Sequence, residues 1–242
     1  MSELWKNGPS FEDGSFKVST DSVLLASFAS PNGKNGIDIG CGSGIISLIM
    51  LCTNETLHMT GIDVNEDAAE TASSNIQRNG LSSRYNVICG DIREHRMLFN
   101  TGSFDFAVCN PPYYPENSGK LSSDTKKALA RGETLCTLGD ICKAAAYLLP
   151  TGGSFYLVHK PERLPEIFCT MTKYSIEPKR LREVQYRIGR APSLVLIEGR
   201  RGGRKGLIIE SPLILTNDDG TETERVCCPP AHKTCEGIHM LL

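Results

Sequence analysis

The sequence predicts an α/β protein built on a doubly wound, mostly parallel sheet that ends in an antiparallel edge pair. Strand-like and helix-like runs alternate along the chain, which is typical of parallel sheets covered by helices on both faces. A glycine-rich turn follows the first buried run, as it does in nucleotide-binding folds. The last two strand-like runs have a short link, which only an antiparallel pair allows.

The individual elements follow from apolar runs and their boundaries. Asn65 is a helix cap before residues 66–78, and Asn79-Gly80 ends that helix. Pro150 and the glycines after it close a helix over residues 138–149. Strands are predicted from residue 36 and over residues 59–62, 84–89, 104–109, 154–159, 180–186 and 193–198; further helices begin at residue 45 and span 161–174, and a last apolar run covers 206–215.

Composition predicts one cytoplasmic domain. The chain has 242 residues, of which 40% are hydrophobic, enough for a full core over residues 1–242. The sequence shows no apolar stretch of about 18 residues and no charged-then-apolar leader, so we expect neither a membrane span nor a secretory signal. Seven cysteines scattered between residues 41 and 169 predict buried apolar side chains in a reducing compartment.

The run Asn110-Pro111-Pro112-Tyr113 directly follows the apolar run 104–109. Asn110 and the Pro111 carbonyl can accept both N–H groups of a planar nitrogen, such as a base amine or a side-chain amide. The nitrogen lone pair then turns out of conjugation and becomes nucleophilic. The prolines stiffen the loop and remove two donors, and Tyr113 offers a stacking face. The alternative is a proline-rich turn without a function.

The glycine-rich turn predicts a nucleotide-like ligand. Its glycines let a ligand approach the backbone, and Asp63 lies about 20 residues further on, the usual offset of a ribose-binding carboxylate. Asp38 stands two residues before the first glycine, where an acid suits an ammonium group better than a phosphate. We therefore predict S-adenosylmethionine. NAD remains open from the glycines alone, although no residue near Asn110 indicates hydride chemistry.

The order of these motifs resembles the class I S-adenosylmethionine methyltransferases that act on exocyclic nitrogens. Further segments resemble one branch, the bacterial tRNA(Val) adenine-37 N6-methyltransferases. These segments are residues 16–25, 130–133, 158–164, 177–180 and 202–206. The resemblance runs from about residue 16 to about residue 220. It implies a Rossmann-like sheet of seven strands with the last one reversed, methyl transfer to N6 of an adenine, and tRNA as the partner, with no obligate protein partner indicated.

The resemblance also implies the roles of individual residues. Asp38 would order the glycine-rich turn and meet the methionine ammonium, Asp63 would accept the ribose hydroxyls, and Asp91 would accept the adenine amine. The cofactor set is Asp38, Gly40, Gly42, Gly44, Asp63, Val64, Asp91, Ile92, Phe16, Thr20 and Asp21, of which the last three belong to a pocket-closing segment over residues 1–30. The catalytic set, Asn110, Pro111, Pro112 and Tyr113, would act by positioning rather than as a strong base.

Positive charge is concentrated between residues 179 and 205, which hold nine basic and two acidic residues, although the whole chain carries a net charge of −2. Such an edge can neutralise RNA phosphates; the alternative is a solvated hairpin that guards a sheet edge. The predicted RNA-binding set is Arg200, Arg201, Arg204, Lys205, Arg131, Lys160 and Arg163. His159, Lys160 and Arg163 either touch phosphate or cap a strand end, and Arg131 and Glu133 lie in the long segment after Tyr113.

Other functions stay open on the sequence. The tail over residues 226–242 holds three cysteines and two histidines, but their spacing fits zinc poorly, so we predict a disordered tail and no metal. Other planar nitrogens are alternative targets: an rRNA guanine or adenine, a DNA adenine, or a protein glutamine. Glutamine methyltransferases carry a helical domain ahead of the cofactor motif, for which some 35 residues leave little room. A non-catalytic cofactor-binding protein would not explain Asn110 and both prolines.

Overall fold

The computed structural model describes residues 2–3, 8–12, 19–112, 136–217, 219–221 and 223. Its strands are β1 (Ser2–Glu3), β2 (Ser10–Phe11), β3 (Asn35–Ile39), β4 (His58–Asp63), β5 (Tyr85–Cys89), β6 (Phe106–Cys109), β7 (Ser154–His159), β8 (Ile176–Gln185), β9 (Leu194–Arg201), β10 (Ile208–Ile209) and β11 (Leu213–Ile214). Its helices are α1 (Thr20–Phe28), α2 (Ile45–Thr53), α3 (Glu66–Arg78), α4 (His95–Leu98), α5 (Leu138–Leu148) and α6 (Leu164–Lys173). Within these ranges, no helix combines the length and the apolar character that crossing a membrane requires.

One large sheet organises the described chain. Seven strands lie in the order β5-β4-β3-β6-β7-β9-β8, and β10 and β11 add two short segments beside β8. The strands from β5 to β7 are parallel, whereas β9 runs antiparallel to both β7 and β8. This confirms the predicted seven-stranded, mostly parallel sheet with its antiparallel pair, and extends it at the β8 edge.

The two faces of the sheet carry separate cores, because side chains alternate along each strand. In β6, Phe106 and Val108 pack on the face that α1, α2 and α3 cover, while Ala107 and Cys109 pack on the opposite face. Helices α5 and α6 cover that second face. Helix α2 is buried over residues 45–51, which explains why its sequence is apolar on every side.

Strand β8 is longer than the sequence predicts, since it begins at Ile176 and not at Arg180. Pro178 lies within it, and the pairing with β9 shifts its register between Pro178 and Arg180. Proline donates no backbone hydrogen bond and is tolerated in a strand at such a bulge. The predicted strand began after the proline and therefore lacked the first four residues of β8, 176–179.

Cysteine burial confirms the prediction only in part. The buried cysteines are Cys41, Cys109 and Cys142, and the half-buried ones are Cys52 and Cys136. Cys89 and Cys169 are exposed, so the prediction of a buried apolar role is wrong for these two. Cys89 is the last residue of β5, the outermost strand on that side of the sheet, and Cys169 lies on the outer side of α6.

The segment before α1 is attached to α3 by a buried amide. Asn75 is fully buried; its side chain accepts the Glu12 N–H at 2.8 Å and donates to the Glu12 and Ser43 carbonyls at 3.0 Å each. Asn79 binds the backbone N–H and carbonyl of Ser10 in the same way. Asn75 therefore joins three parts of the chain: the N-terminal segment, α3 and the glycine-rich turn.

We expect Asn75→Ala to lower the free energy of unfolding by about 2–3 kcal/mol, because buried polar groups that lose their partner cost about 1–3 kcal/mol. Urea denaturation measures the change. Gln77→Ala, on the exposed side of the same helix, is the matched control and should change little. Equal losses in the two variants would contradict the anchoring role of Asn75.

Candidate functional site

Four strand ends meet at one edge of the sheet. Because β3, β4, β6 and β7 are parallel, their carboxyl ends lie together, and ligands of such sheets bind outside this edge. We call it the carboxyl edge, and the opposite one the amino edge. The residues that follow the four ends are Gly40, Val64, Asn110 and Lys160. The structure thus brings together the glycine-rich turn, Asp63 and Asn110, as the sequence predicted.

The glycine-rich turn leaves its backbone open at two positions. Gly40 and Gly42 have φ angles of 70° and 53°, which residues with side chains rarely adopt. Among the atoms of the described residues, none would lie within 4 Å of a Cβ added at either position. At Gly44, whose φ is 77°, a Cβ would lie 2.9 Å from Ala72 on α3. Gly40 and Gly42 therefore leave room for a ligand, whereas Gly44 is required by helix packing.

Asp38 is a buried acid with an unsatisfied oxygen. It is fully buried, its Oδ2 accepts the Ser47 hydroxyl at 2.9 Å, and its Oδ1 has no hydrogen-bond partner among the described residues. Burial raises the pKa of Asp38 to about 7, although the hydrogen bonds from Ser47 act in the opposite direction. A cationic amine would satisfy the free oxygen, so Asp38 fits the ammonium end of S-adenosylmethionine.

Asp63, and not Asp38, orders the glycine-rich turn. The Gly42 N–H donates to Asp63 Oδ2 at 2.9 Å, and the Asn65 N–H donates to Oδ1 at 2.9 Å. The prediction that Asp38 orders the turn is wrong, because its hydrogen bond goes to Ser47 in α2 instead. A carboxylate offers about four acceptor sites, so Asp63 keeps capacity for the ribose hydroxyls that the sequence assigned to it.

A third acid lies after β5. Asp91 caps the 3₁₀ turn Ile92–Glu94, and its Oδ2 accepts the Arg93 Nε–H at 2.8 Å. The hydrogen bonds from Arg93 hold the pKa of Asp91 below its usual value, so Asp91 remains a carboxylate acceptor. Val64, after β4, is 72% exposed and offers an apolar surface at the same edge. The sequence reasoning missed Arg93, whose position two residues after Asp91 was the available signal.

Asn110 is held by the first turn of α1. Its Nδ2 donates to Ser22 Oγ at 3.0 Å and to Ser19 Oγ at 3.3 Å. These two contacts fix which way the Asn110 amide is turned, with its nitrogen toward the first turn of α1. The sequence reasoning named Thr20 and Asp21 in this turn but missed Ser19, the helix N-cap, and Ser22. A serine directly before a helical pattern was the available signal for Ser19.

Several predicted residues lie outside the described residues. These are Phe16, Tyr113, Arg131 and Glu133, together with the cysteines and histidines of the tail. Pro111 is buried and Pro112 is exposed. Among the residues that the structure describes, no group of three or more His, Cys, Asp or Glu side chains could hold a metal ion.

The cations between residues 179 and 205 do not share one edge. Because β9 runs antiparallel, Arg200 pairs with Ser154 at the start of β7, which is the amino edge. From the rise per residue of a strand, this edge lies about 16 Å from the carboxyl end of β7. The structure therefore does not bring Arg200, Arg201, Arg204 and Lys205 together with Asn110. Their predicted contact with RNA stays a prediction.

Two of these cations bind a buried acid. Glu198 is 3% exposed; its Oε2 accepts from Arg180 Nη1 at 2.6 Å and its Oε1 from Arg200 Nη2 at 2.8 Å. The Arg201 Nε–H donates to a carbonyl at the end of α5 at 3.0 Å. Arg180, Arg200 and Arg201 therefore have structural partners that the charge count alone could not show.

The three predicted residues after β7 differ from one another. His159 is buried, its Nδ1 accepts the Lys160 N–H at 2.8 Å, and burial lowers the pKa of His159 to about 4. It is therefore neutral at pH 7, which favours the strand-end role over phosphate binding. Arg163 binds the Glu166 carboxylate. Lys160 extends along the edge, where its Nζ donates to the Ser193 carbonyl at 3.5 Å.

Comparison with known proteins agrees with this geometry. The methyltransferase small domain family matches residues 11–168, and the chain belongs to that family. The chain is a class I S-adenosylmethionine-dependent methyltransferase, and this confirms the predicted enzyme class and cofactor. Three relatives of the chain carry the name tRNA1(Val) (adenine(37)-N6)-methyltransferase, which is the branch that the sequence segments resemble.

These three relatives show how far the similarity extends. The Parabacteroides distasonis protein is 32% identical over 75% of this chain and 76% of its own length. The Tolumonas auensis protein is 31% identical over 75% of both chains. The Shewanella pealeana protein is 28% identical over 86% of this chain and 78% of its own. The similarity therefore covers three quarters or more of the chain and is not limited to one motif.

Solved structures support the fold. A predicted O-methyltransferase from Agrobacterium tumefaciens has a TM-score of 0.70 at 20% identity, covering 85% of this chain and 93% of that chain. An S-adenosylmethionine-dependent O-methyltransferase from Thermotoga maritima has a TM-score of 0.56 at 17% identity, covering 79% and 68%. At such identities the likeness concerns the fold and not the substrate.

We expect Asp38→Asn to stabilise the protein without its cofactor and to weaken S-adenosylmethionine binding. Folded Asp38 has a pKa of about 7 against an ordinary 3.8, so the folded state holds this proton more tightly than the unfolded state. The wild-type free energy of unfolding therefore falls as the pH rises through that window and is constant above it. The advantage of the variant should reach about 4 kcal/mol at pH 8.

Urea denaturation at pH 5 and pH 8 measures this difference, and calorimetry measures cofactor affinity. Asp67→Asn, at an exposed position in the first turn of α3, is the control and should show neither effect. If wild type and Asp38→Asn depended on pH in the same way, Asp38 would not be the buried titrating group.

Ser22→Ala should lower kcat by about three- to tenfold, because one hydrogen bond that orients Asn110 is lost and such bonds contribute about 0.5–1.5 kcal/mol. Cofactor affinity should stay unchanged, and Ser22→Thr, which keeps the hydroxyl, should restore turnover. Ser27→Ala, whose hydroxyl donates to the Val23 carbonyl in the same helix, is the control. A change in cofactor affinity without a change in kcat would rule out the positioning role.

Proposed function

We propose that this methyltransferase modifies the exocyclic N6 amine of an adenine in tRNA, namely adenine 37, next to the anticodon of tRNA(Val). The observation that carries the proposal is Asn110, whose amide is fixed at the carboxyl edge with its nitrogen turned toward α1. The names of the relatives support the same substrate. A tRNA substrate implies a cytoplasmic enzyme whose partner is tRNA.

The carboxyl edge offers a matching group for each part of S-adenosylmethionine. Asp38 would bind its ammonium, and Gly40 and Gly42 would lie against it with their open backbone. Asp63 would accept the ribose hydroxyls, and Asp91 the adenine amine. When bound, S-adenosylmethionine supplies an electrophilic methyl group on a positively charged sulfur.

Asn110 and Pro111 would orient the amine that accepts the methyl group. The Asn110 side-chain oxygen and the Pro111 carbonyl each accept one of its N–H groups, which turns the nitrogen lone pair out of the ring system. Pro111 has no N–H of its own, so this position presents an acceptor and no competing donor. The reaction is then accelerated by position and orientation, and the proton that the amine releases passes to solvent.

The target adenine must leave its stack to reach this edge. Extruding a base from a single-stranded loop costs less free energy than extruding one from a paired helix. An adenine next to the anticodon lies in such a loop. The cost of extrusion therefore favours this substrate over an adenine within a duplex.

The direct test is methylation of total tRNA from a strain that lacks the enzyme, with labelled S-adenosylmethionine and mapping of the modified nucleoside. We expect N6-methyladenine at position 37 of tRNA(Val). Parallel incubations with ribosomal RNA, DNA and a protein glutamine substrate test the other planar nitrogens. Label in one of these fractions and none in tRNA would overturn the proposal.

Asn110→Ala should reduce turnover by about 10²-fold or more while leaving cofactor affinity close to that of wild type, because the lost group acts on the nucleophile and not on the methyl donor. Asn110→Asp keeps an acceptor oxygen at the same place and should retain more activity than the alanine variant. Single-turnover kinetics and calorimetry give the two readouts. Near wild-type turnover in Asn110→Ala would refute the role of Asn110.

A further inference from the structure

The link between β8 and β9 is a second cationic segment, at the edge opposite to residues 202–205. Strand β8 ends at Gln185 and β9 begins at Leu194. Since β9 is antiparallel to both β7 and β8, β8 runs parallel to β7 and ends at the carboxyl edge. The hairpin loop, residues 186–193, therefore lies at the same edge as Asn110. The contact between Lys160 Nζ and the Ser193 carbonyl joins it to the end of β7.

The hairpin loop exposes cations and apolar groups together. It contains Arg187 and Arg190 and no acidic residue, and both arginines are exposed. Tyr186 is 49% exposed and Ile188 is 71% exposed. The Arg187 guanidinium lies 5.9 Å from the centroid of the Tyr186 ring. A cation beside an exposed ring is the combination that binds the backbone and bases of single-stranded nucleic acids.

The backbone of the hairpin loop is held by its own hydrogen bonds. The Arg190 N–H donates to the Arg187 carbonyl at 3.1 Å, and the Ser193 N–H donates to the Val184 carbonyl at 2.8 Å. Gly189 adopts a φ of 75°, which lets the chain reverse direction there. The exposed side chains are thus presented on a defined turn, so binding a partner does not require the loop backbone to be ordered first.

Strand spacing sets how far the hairpin loop lies from Asn110. The strands follow in the order β6-β7-β9-β8, so the loop is two to three strand spacings from the end of β6. At about 4.8 Å per spacing this is about 10–15 Å along the edge. In a stacked double helix, each strand carries a phosphate about every 3.4 Å of the helix axis. An unpaired strand is at least as extended, so the loop lies at most about four nucleotides from a base at Asn110.

We propose that the hairpin loop binds the RNA substrate beside the methylated adenine. Arg187 and Arg190 each neutralise a phosphate a few nucleotides from that base, and the Tyr186 ring stacks on an unpaired neighbour. This inference rests on the proposed function, because it requires an RNA substrate. It assigns RNA contact at the active edge to residues 186–193, and not to the cations at residues 200–205, which lie at the amino edge.

The test is tRNA binding at several salt concentrations for wild type and three double variants, with cofactor affinity measured on each to show that the site is intact. In Arg187→Ala/Arg190→Ala, the slope of log affinity against log salt should decrease in magnitude by about 1.4, or about 0.7 for each lost phosphate contact. Lys34→Ala/Lys143→Ala removes two exposed cations elsewhere and should keep the wild-type slope. Arg204→Ala/Lys205→Ala probes the amino edge.

The outcomes distinguish a failure of this inference from a failure of the proposed function. A flatter slope in the Arg187→Ala/Arg190→Ala variant, with unchanged slopes in the Lys34→Ala/Lys143→Ala control, supports the inference. A wild-type slope in the hairpin variant, with or without a flatter one for Arg204→Ala/Lys205→Ala, overturns it while leaving tRNA methylation in place. If the wild-type protein binds and methylates no tRNA, the proposed function fails first, and the inference fails with it.

Tyr186 gives an independent readout that does not depend on charge. Tyr186→Ala should weaken tRNA binding by about tenfold without changing the salt slope, because a stacking contact is lost. Tyr186→Phe should keep wild-type affinity. Equal affinities for the alanine variant and wild type would remove stacking from the proposal.

Discussion

The parallel register of β3 between β4 and β6 is the constraint on which the other parts of the site depend. Asp38 in β3 lies opposite Gly61 in β4 and Val108 in β6. With that register, the strands end together, so the glycine-rich turn, Asp63 and Asn110 emerge at one edge. A ligand that spans these ends contacts residues separated by some 70 positions in sequence, and no single loop needs to carry the whole site.

Local patterns predicted the elements well, because burial and capping are local properties. The apolar run at residues 45–51 became a buried helix, and Asn65 caps α3. What these local patterns could not supply depends on long-range geometry. Asp63 and not Asp38 binds the turn because Ser47, on a neighbouring helix, occupies Asp38. Arg200 lies at the amino edge because β9 runs antiparallel to β7. A count of charges along the sequence contains neither fact.

Two buried acids in this sheet differ in whether partners within the chain balance their charge, and this difference separates a structural role from a functional one. Glu198 at the amino side is held by Arg180 and Arg200, so its charge is balanced within the chain. Asp38 at the carboxyl side keeps an oxygen without a partner among the described residues, and burial raises its pKa. An isolated buried carboxylate destabilises a fold, which is consistent with a group whose partner is a bound ligand. Perturbed groups of this kind are concentrated at functional sites.

The position of β9 has a consequence for how the chain is assembled during synthesis. Strand β9 is among the last long elements to leave the ribosome, yet it lies between β7 and β8, which are made earlier. Until residue 201 has emerged, β7 has an open edge, and β8 has no β9 to pair with. Domains fold largely as units, and unpaired edges are the surfaces through which incomplete chains aggregate. The nascent protein therefore exposes a vulnerable edge from the synthesis of β7 until β9, its last long strand, inserts.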